Sequence, residues 1–280
     1  MARLRASAID RLTRMGVYCF VGIMGLFALT PVAWLVSTSL KQDGQVFCYP
    51  PVLIPRPASW VQFARALQQG ILPKLANSAI VGCFSTFVSV LAGGLAAYSV
   101  SRLRIRWTGI FLMIVLVAQM IPAIAVVMPL FITFKTARML DSYVPLVLVH
   151  ATYNLPFSIW LLRSFFDEIP AEIDEAGLID GCSRFGVFTR LILPLAAPGL
   201  MATSVFCFIK SWNEFLFAVI FTYTPRSQTI PVAISAFIAD KGISWGPMSA
   251  AGMLAILPPV MFCLMTQRYL VRGLTSGAIR

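Results

Sequence analysis

Six stretches of this chain each run about 20 residues or longer with almost no charge, and that constrains its fold more than any other feature. They span residues 15–40, 76–101, 108–134, 143–162, 195–221 and 248–267. A helix needs about 20 residues to cross a hydrocarbon core roughly 30 Å thick. Within that core every backbone N–H and C=O has to be bonded inside the protein, and runs of this length read as helices rather than as the alternating strands of a barrel. The expected fold is therefore all-α: a polytopic membrane protein with six transmembrane helices, one N-terminal helix followed by a five-helix core. Composition agrees, with 59% hydrophobic and 12% charged residues against about 45–50% and about 25% in soluble domains. It excludes disorder, while 18 Gly and 6 Cys are too few for collagen or a disulfide framework. The first run is longer than the roughly 7–15 residues of a signal-peptide core, so it reads as a retained span.

Orientation follows from Lys and Arg, which accumulate in cytoplasmic loops. Segments 1–14, 102–107, 163–194 and 266–280 carry thirteen Arg, with Arg102, Arg104 and Arg106 clustered directly after the second run. The opposite set, 41–75, 135–142 and 222–247, carries eight Lys and Arg, among them Lys41, Arg65 and Lys241. Both termini are expected to be cytoplasmic. Much of the net +11 charge is thus a topology signal, and no basic stretch interleaves with aromatics as a single-strand binder would require, so nucleic acid is not an expected partner. The external segment 41–75 holds Pro50, Pro51, Pro55 and Pro57, then Trp60, Phe63 and Leu67 at helical spacing. It is either an amphipathic element lying on the membrane face or a proline-stiffened connector. No cysteine pair has metal-ligand or CxxC spacing; the six read as small buried hydrophobes, and no metal site is expected.

One loop reverses the composition. Asp167, Glu168, Glu172, Asp174, Glu175 and Asp180 are six of the eleven acids within fourteen residues, with no Lys or Arg among them. Pro170 suits a first helical turn with acids near its positive end, and Gly181 suits a C-terminal stop. Ser183 can cap a second helix running through Phe185, Val187, Phe188 and Leu191 until Pro194 ends it. Small residues at Ala176 and Gly177 would let another protein approach the backbone. The loop is either a docking element or a solvated acidic helix.

Inside the fifth span, Lys210 and Glu214 lie four residues apart on one helical face, where they could neutralise each other. Intramembrane ionisable groups are functional candidates by default, and Trp212 and Asn213 add groups that suit sugar rings and hydroxyls. The stretch lines a translocation path or its outer gate, or else is an internally paired break for helix packing. His150, the single histidine, reads as a satisfied packing residue ahead of the alternative, a proton relay. Gly93, Gly94 and Gly109 read as close helix packing, and Pro122, Pro129, Pro156, Pro258 and Pro259 as kinks.

The sequence EAGLIDGCSRFGVFTRLILP, from Glu175 to Pro194, resembles the cytoplasmic EAA loop of ABC importer permeases. Glu175, Ala176, Gly177, Gly181, Leu191, Leu193 and Pro194 match its spacing, with Gly177 in place of the usual Ala and Leu191 in place of the usual Ile. Asn77-Ser78, IPAEIDEAGLIDG, Trp212-Asn213-Glu214-Phe215 and the closing QRYLVRGLTSGA narrow the resemblance to the carbohydrate branch, in particular the smaller permease of maltose-type transporters. It covers residues 70–280 well. The resemblance implies a permease subunit that couples to ATPase subunits through Glu175, Ala176, Gly177, Asp180, Gly181, Leu191, Leu193 and Pro194. It also implies that Gly273, Leu274, Thr275, Ser276 and Gly277 of the tail reach the ATPase.

Implied partners are a second homologous permease, a dimer of ATP-binding subunits, an external solute-binding protein and a carbohydrate or related polyol, in a bacterial or archaeal inner membrane. ATP and Mg belong on the partner subunits and no cofactor on this chain. The residues agree: a phosphate-binding loop needs Gly-Lys, and the five Lys follow Leu40, Pro73, Phe134, Ile209 and Asp240. The expected division is 1–70 (tail, first helix and external segment), 71–270 (permease core with coupling loop 166–194) and 271–280 (C-terminal tail). Two other classes remain. A secondary transporter would want an inverted repeat, which is not evident. An intramembrane hydrolase would need His150 beside a nucleophile and has no GxSxG elbow, so no catalytic residue is assigned.

Overall fold

The computed structural model describes residues 2–103, 106–239 and 242–276, with side chains over 13–103, 106–239 and 242–267. Arg104, Lys241, Gly277 and Arg280 lie outside the described residues, as do the side chains of Arg268, Arg272 and positions 273–276. In chain order the helices are α1 (Ala2–Ser39), α2 (Asp43–Val46), α3 (Val61–Gln68), α4 (Ile71–Arg102), α5 (Thr108–Ala118), α6 (Ala123–Thr136) and α7 (Tyr143–Glu168). Then follow α8 (Glu172–Ile179), α9 (Arg184–Val187), a π turn (Phe188–Ile192), α10 (Leu193–Leu195), α11 (Ala197–Trp212), α12 (Leu216–Phe221) and α13 (Ile230–Ser235). A two-residue antiparallel pair, β1 (Ile238–Ala239) and β2 (Gly242–Ile243), precedes α14 (Trp245–Ser276). The all-α expectation is met.

The six expected spans appear in two forms. Four are single helices long and apolar enough to cross: Thr13–Ser39, Ile71–Arg102, Tyr143–Glu168 and Trp245–Gln267. The other two are bent pairs, Thr108–Ala118 with Ala123–Thr136 at 89° and Arg184–Leu195 with Ala197–Trp212 at 78°, so the count reaches six when each pair is one span. The expectation of a continuous helix over 108–134 is corrected: Pro122 sits in extended conformation as the cap of α6 rather than kinking a helix. Pro129, Pro156, Pro258 and Pro259 do lie inside helices.

The chain divides into two compact units, Met1–Gln69 with Phe237–Leu254, and Gly70–Ala236 with Ala255–Arg280. In the first, the most apolar 18-residue window of α1 buries no residue. Lys41 is buried just past α1 with its Nζ 4.5 Å from the centroid of Trp34, a cation–π contact. On α3 the buried residues are Gln62 and Ala66, one turn apart, so Trp60 and Leu67 are left exposed.

The second unit is built on α4. Its buried face is a run of small and polar residues, including Ser78, Gly82, Ser85, Ser89, Gly93 and Ala97, the composition that lets helices approach where no hydrophobic force drives them together. A Cβ on Gly93 would lie 2.6 Å from the Ser158 Cβ, and one on Gly82 would lie 2.9 Å from the Phe208 ring. Gly109, by contrast, faces open space and is not a packing glycine. Hydrogen bonds cross the same contact, from Ser85 to Ser211 at 2.8 Å and from Asn154 Nδ2 to Ser211 Oγ at 3.0 Å. Helices α4 and α7 run in the same direction. Tyr143, opening α7, donates to Asn77 Oδ1 near the start of α4 at 2.8 Å, while Ser101, near the end of α4, donates to Asp167 Oδ1 at 2.5 Å. Cys207 is buried, but Cys19, Cys48, Cys83 and Cys263 are exposed on the chain's surface, correcting the expectation of buried cysteines.

Two local devices shape the loops of this unit. Helix α8 ends in a Schellman motif, with Gly181 at φ +85°, Cys182 N–H donating to Gly177 C=O at 3.0 Å and Gly181 N–H to Leu178 C=O at 3.1 Å, the arrangement that satisfies the last carbonyls of a helix. Gly177 packs on the following segment: a Cβ there would meet Leu191 Cδ1 at 2.6 Å and Val187 Cγ2 at 3.0 Å. The two positions that depart from the EAA pattern therefore touch each other. The second device is Asp141, held at φ 58°. Its carboxylate accepts hydrogen bonds from Tyr223 N–H at 3.0 Å, Thr224 N–H at 2.9 Å, Thr224 Oγ1 at 2.6 Å and Ser227 Oγ. Burial opposes ionisation, yet the bonds from Ser227, Thr224 and Tyr223 outweigh it and hold its pKa at about 2.

Gly177→Ala gains helix propensity worth about 1 kcal/mol but drives a methyl into Leu191, whereas Leu191→Ile moves the branch to Cβ and withdraws that Cδ1. A double-mutant cycle read by unfolding of the detergent-solubilised protein should give a coupling of at least about 0.5 kcal/mol; additive effects would show that the pair does not interact. The folded pKa of Asp141 lies below the ordinary 3.8, so its stabilisation is present above that value and is lost as pH falls toward 2. Asp141→Ala should cost about 2 kcal/mol near neutral pH, in the range for hydrogen bonds to a charged group, with the difference from the parent shrinking through that acid window. A pH-independent difference would remove the ionic role.

Candidate functional site

The acidic loop folds as expected into α8 and α9. Glu172, Asp174 and Glu175 lie in the first turn of α8, where the helix dipole favours them, and Ser183 Oγ accepts from Gly186 N–H at 3.1 Å to cap α9. Pro170 falls just before the first turn, its carbonyl accepting from Ile173 N–H at 3.3 Å. Pro194 does not end the helix. The turn before it widens to a π turn, with Leu193 N–H bonding Phe188 C=O, and α10 continues to Leu195 before the 78° bend at Ala196. Proline has no N–H and clashes with the carbonyl one turn back; a wider turn removes the conflict, and such π-bulges recur at functional sites.

The motif residues divide by exposure. Gly177 is buried against Leu191, and Leu191 and Leu193 are half-buried. Glu175, Ala176, Asp180, Gly181 and Pro194 are exposed, together with Ile179 and Phe185. Beneath the exposed face lies an anchor that sequence reasoning missed. Arg102, at the end of α4, pairs through Nε with Asp174 Oδ2 at 2.9 Å, both side chains only 12% exposed. Arg102 Nη2 also donates to Ile169 C=O at 2.6 Å, and Tyr98 OH donates to Asp174 Oδ1 at 2.5 Å. Arg102 was visible only as a topology signal and Asp174 only as one acid among six. Their pairing links positions 72 residues apart in sequence, and no local spacing encodes it.

The fifth-span break is arranged differently from the expectation. Lys210 and Glu214 do not pair with each other: Lys210 Nζ donates to Tyr153 C=O at 3.1 Å. Glu214 turns to the start of α12, accepting from Phe217 N–H at 2.9 Å and Ala218 N–H at 3.2 Å. It thereby caps a helix end whose N–H groups have no partner in the helix itself. Glu214 Oε2 also lies 3.2 Å from His150 Nε2, while His150 Nδ1 is buried without a partner, so the histidine is only half satisfied. Trp212 is 4% exposed and stacked on Phe208 at 5.5 Å; its ring is not open to a solute. Lys210 and Asn213 are exposed and Glu214 half-buried. Among the described residues no three His, Cys, Asp or Glu side chains converge as metal ligands.

Comparison with known proteins places this geometry. Residues 89–276 match the model of the family described as binding-protein-dependent transport system inner membrane component. A probable ABC transporter permease protein, y4oR of Sinorhizobium fredii, is 36% identical over 264 residues, 94% of this chain and 93% of that protein. The trehalose/maltose transport system permease protein MalG of Thermococcus litoralis is 35% identical over 262 residues, 92% of this chain and 94% of that protein. The fold is similar to a chain in the crystal structure of a bacterial ABC transporter involved in the import of the acidic polysaccharide alginate, with a TM-score of 0.77 at 22% identity, covering 93% of this chain and 97% of that one. Such proteins are transport components rather than catalysts, which removes the hydrolase alternative. The chain belongs to the family of binding-protein-dependent transport system inner membrane components, the permease subunits of ABC importers.

Proposed function

We propose that this chain forms half of the translocation pathway of an ATP-driven importer of carbohydrates or related polyols. It is a multi-pass protein of a bacterial or archaeal inner membrane with both termini cytoplasmic, paired with a second homologous permease. ATP and Mg bind to a dimer of ATP-binding subunits, and an external solute-binding protein delivers the substrate. Support for the sugar class comes from the trehalose/maltose relative, and the family description itself names dependence on a binding protein.

The observation that carries the coupling role is the clamp of Asp174 by Arg102 and Tyr98. It ties α8 to the end of α4, so a displacement of α8 by the ATPase is passed to the helix on which α7 and α11 pack. Glu175, Ala176, Asp180 and Gly181 form the docking edge, Gly177, Leu191, Leu193 and Pro194 its packing base, and Gly273, Leu274, Thr275, Ser276 and Gly277 a second contact with the ATPase. In the membrane, Lys210, Asn213 and Glu214 line the path, while Trp212 supports the break from behind.

Charge reversal at the docking edge, Glu175→Lys with Asp180→Lys, should abolish stimulation of the partner ATPase in the reconstituted complex while helical circular dichroism stays at the parental level; retained stimulation would count decisively against coupling through α8. Glu214→Ala removes a cap worth about 1 kcal/mol and the carboxylate facing His150. Sugar uptake by the assembled complex should fall at least about tenfold, a loss equivalent to 1.4 kcal/mol, and uptake at the parental rate would exclude a pathway role. Uptake by this chain alone, without ATPase or second permease, would overturn the importer reading in favour of a secondary transporter.

A further inference from the structure

The first unit contains a polar cleft that neither the coupling loop nor the fifth-span break explains. It has a volume of about 450 Å³, within the range of small-molecule sites, and is lined by Asp43, Phe47, Gln62, Arg65, Gln68 and Trp245 among others. Its floor is built. Gln62 is 0% exposed and donates from Nε2 to Lys41 C=O and to Asp43 Oδ1, both at 3.0 Å. Arg65 forks onto both oxygens of Asp43, at 2.5 and 2.7 Å, the bidentate geometry that fixes a guanidinium and a carboxylate in one plane. The first turn of α14 closes over this floor at Gly246, where a Cβ would lie 2.4 Å from Gln62 Cδ. Gln62 Oε1 is buried beneath Gly246 with no hydrogen-bond partner, so it belongs to the floor and not to the open face of the cleft. At the rim, Phe47 is exposed and Trp245 is 45% exposed.

This combination selects a class of ligand by exclusion. An anion would meet the Asp43 carboxylate, which the hydrogen bonds from Arg65 and then Gln62 hold below the usual carboxylate range and so ionised. A cation would meet Arg65. An apolar ligand would strip water from a charged pair and offer no hydrogen bonds in return. A neutral polyhydroxylated ring fits: adjacent hydroxyls can bond the planar forks of Asp43, Arg65 and Gln68, and the C–H face of the ring can lie on Trp245 or Phe47.

We propose that this cleft is a carbohydrate subsite taking one or two sugar rings, separate from the fifth-span break and carried by the segments that charge bias places outside the membrane. It rests on the sugar-import reading and would hold substrate on the external side of the membrane.

The assembled importer in lipid nanodiscs, without its binding protein, can be titrated with trehalose, maltose and cellobiose while tryptophan emission is followed. At least one sugar should give a saturable change that Trp245→Phe abolishes, and Arg65→Ala should raise the half-saturating concentration at least tenfold, with Gln68→Ala as a rim variant should Arg65→Ala fold poorly. No saturable response to any of the three sugars would overturn the subsite, as would a response unchanged in Trp245→Phe and Arg65→Ala. Uptake by the same complex in proteoliposomes, supplied with its binding protein and ATP, separates the two readings: import without cleft binding removes the subsite alone, and cleft binding without import removes the importer reading alone.

Discussion

A helix in hydrocarbon has no water to complete a broken backbone hydrogen bond, and the form of the second unit follows from that. At two places where the helical ladder fails, the chain itself supplies the repair. At Pro194 the turn widens so that Leu193 N–H still reaches Phe188 C=O. Between α11 and α12 the Glu214 carboxylate takes the N–H groups of Phe217 and Ala218. The charges that look expensive in the sequence are in part the repair. Lys210 places its ammonium on the Tyr153 carbonyl of the neighbouring α7.

The same solvent removes the usual reason for helices to associate, so packing depends on close approach and crossing hydrogen bonds. The buried face of α4 supplies both: glycines where Ser158 and Phe208 come near, serines where Ser211 and Ala151 can be reached. Because α4 also ends in Tyr98 and Arg102, the helix that organises the membrane part is the one that grips Asp174. Substitutions on the buried face of α4 and in the acidic loop thus act on one element.

Much of this was legible in the sequence, for identifiable reasons. Apolar run length located the spans and local turn chemistry located α8, its glycine stop and the Ser183 cap, because each signal lies within a few residues of its effect. The bends were not legible. Pro122 and Pro194 announce trouble in a helix, yet whether proline kinks it, caps the next one or widens a turn depends on neighbours distant in sequence. The pairing expected for Lys210 and Glu214 failed for a related reason: four-residue spacing presumes an unbroken helix, and the helix ends at Trp212. The Arg102–Asp174 clamp and the contact of Gly177 with Leu191 required the fold.

Helices α4 and α7, matched start to start through Asn77 and Tyr143 and end to end through Ser101 and Asp167, impose a parity rule on the segment between them. Two neighbouring segments of one chain that cross a bilayer in the same sense must be joined by an odd number of return crossings. A re-entrant loop at α5 and α6 would dip and come back on the side it left, delivering Tyr143 to the wrong face. The Asp141 tether extends the rule, since it binds the start of α7 to Tyr223, Thr224 and Ser227, so a descent through α7 calls for an ascent before Tyr223. The two bent helix pairs are in this sense constrained by hydrogen bonds that lie outside them.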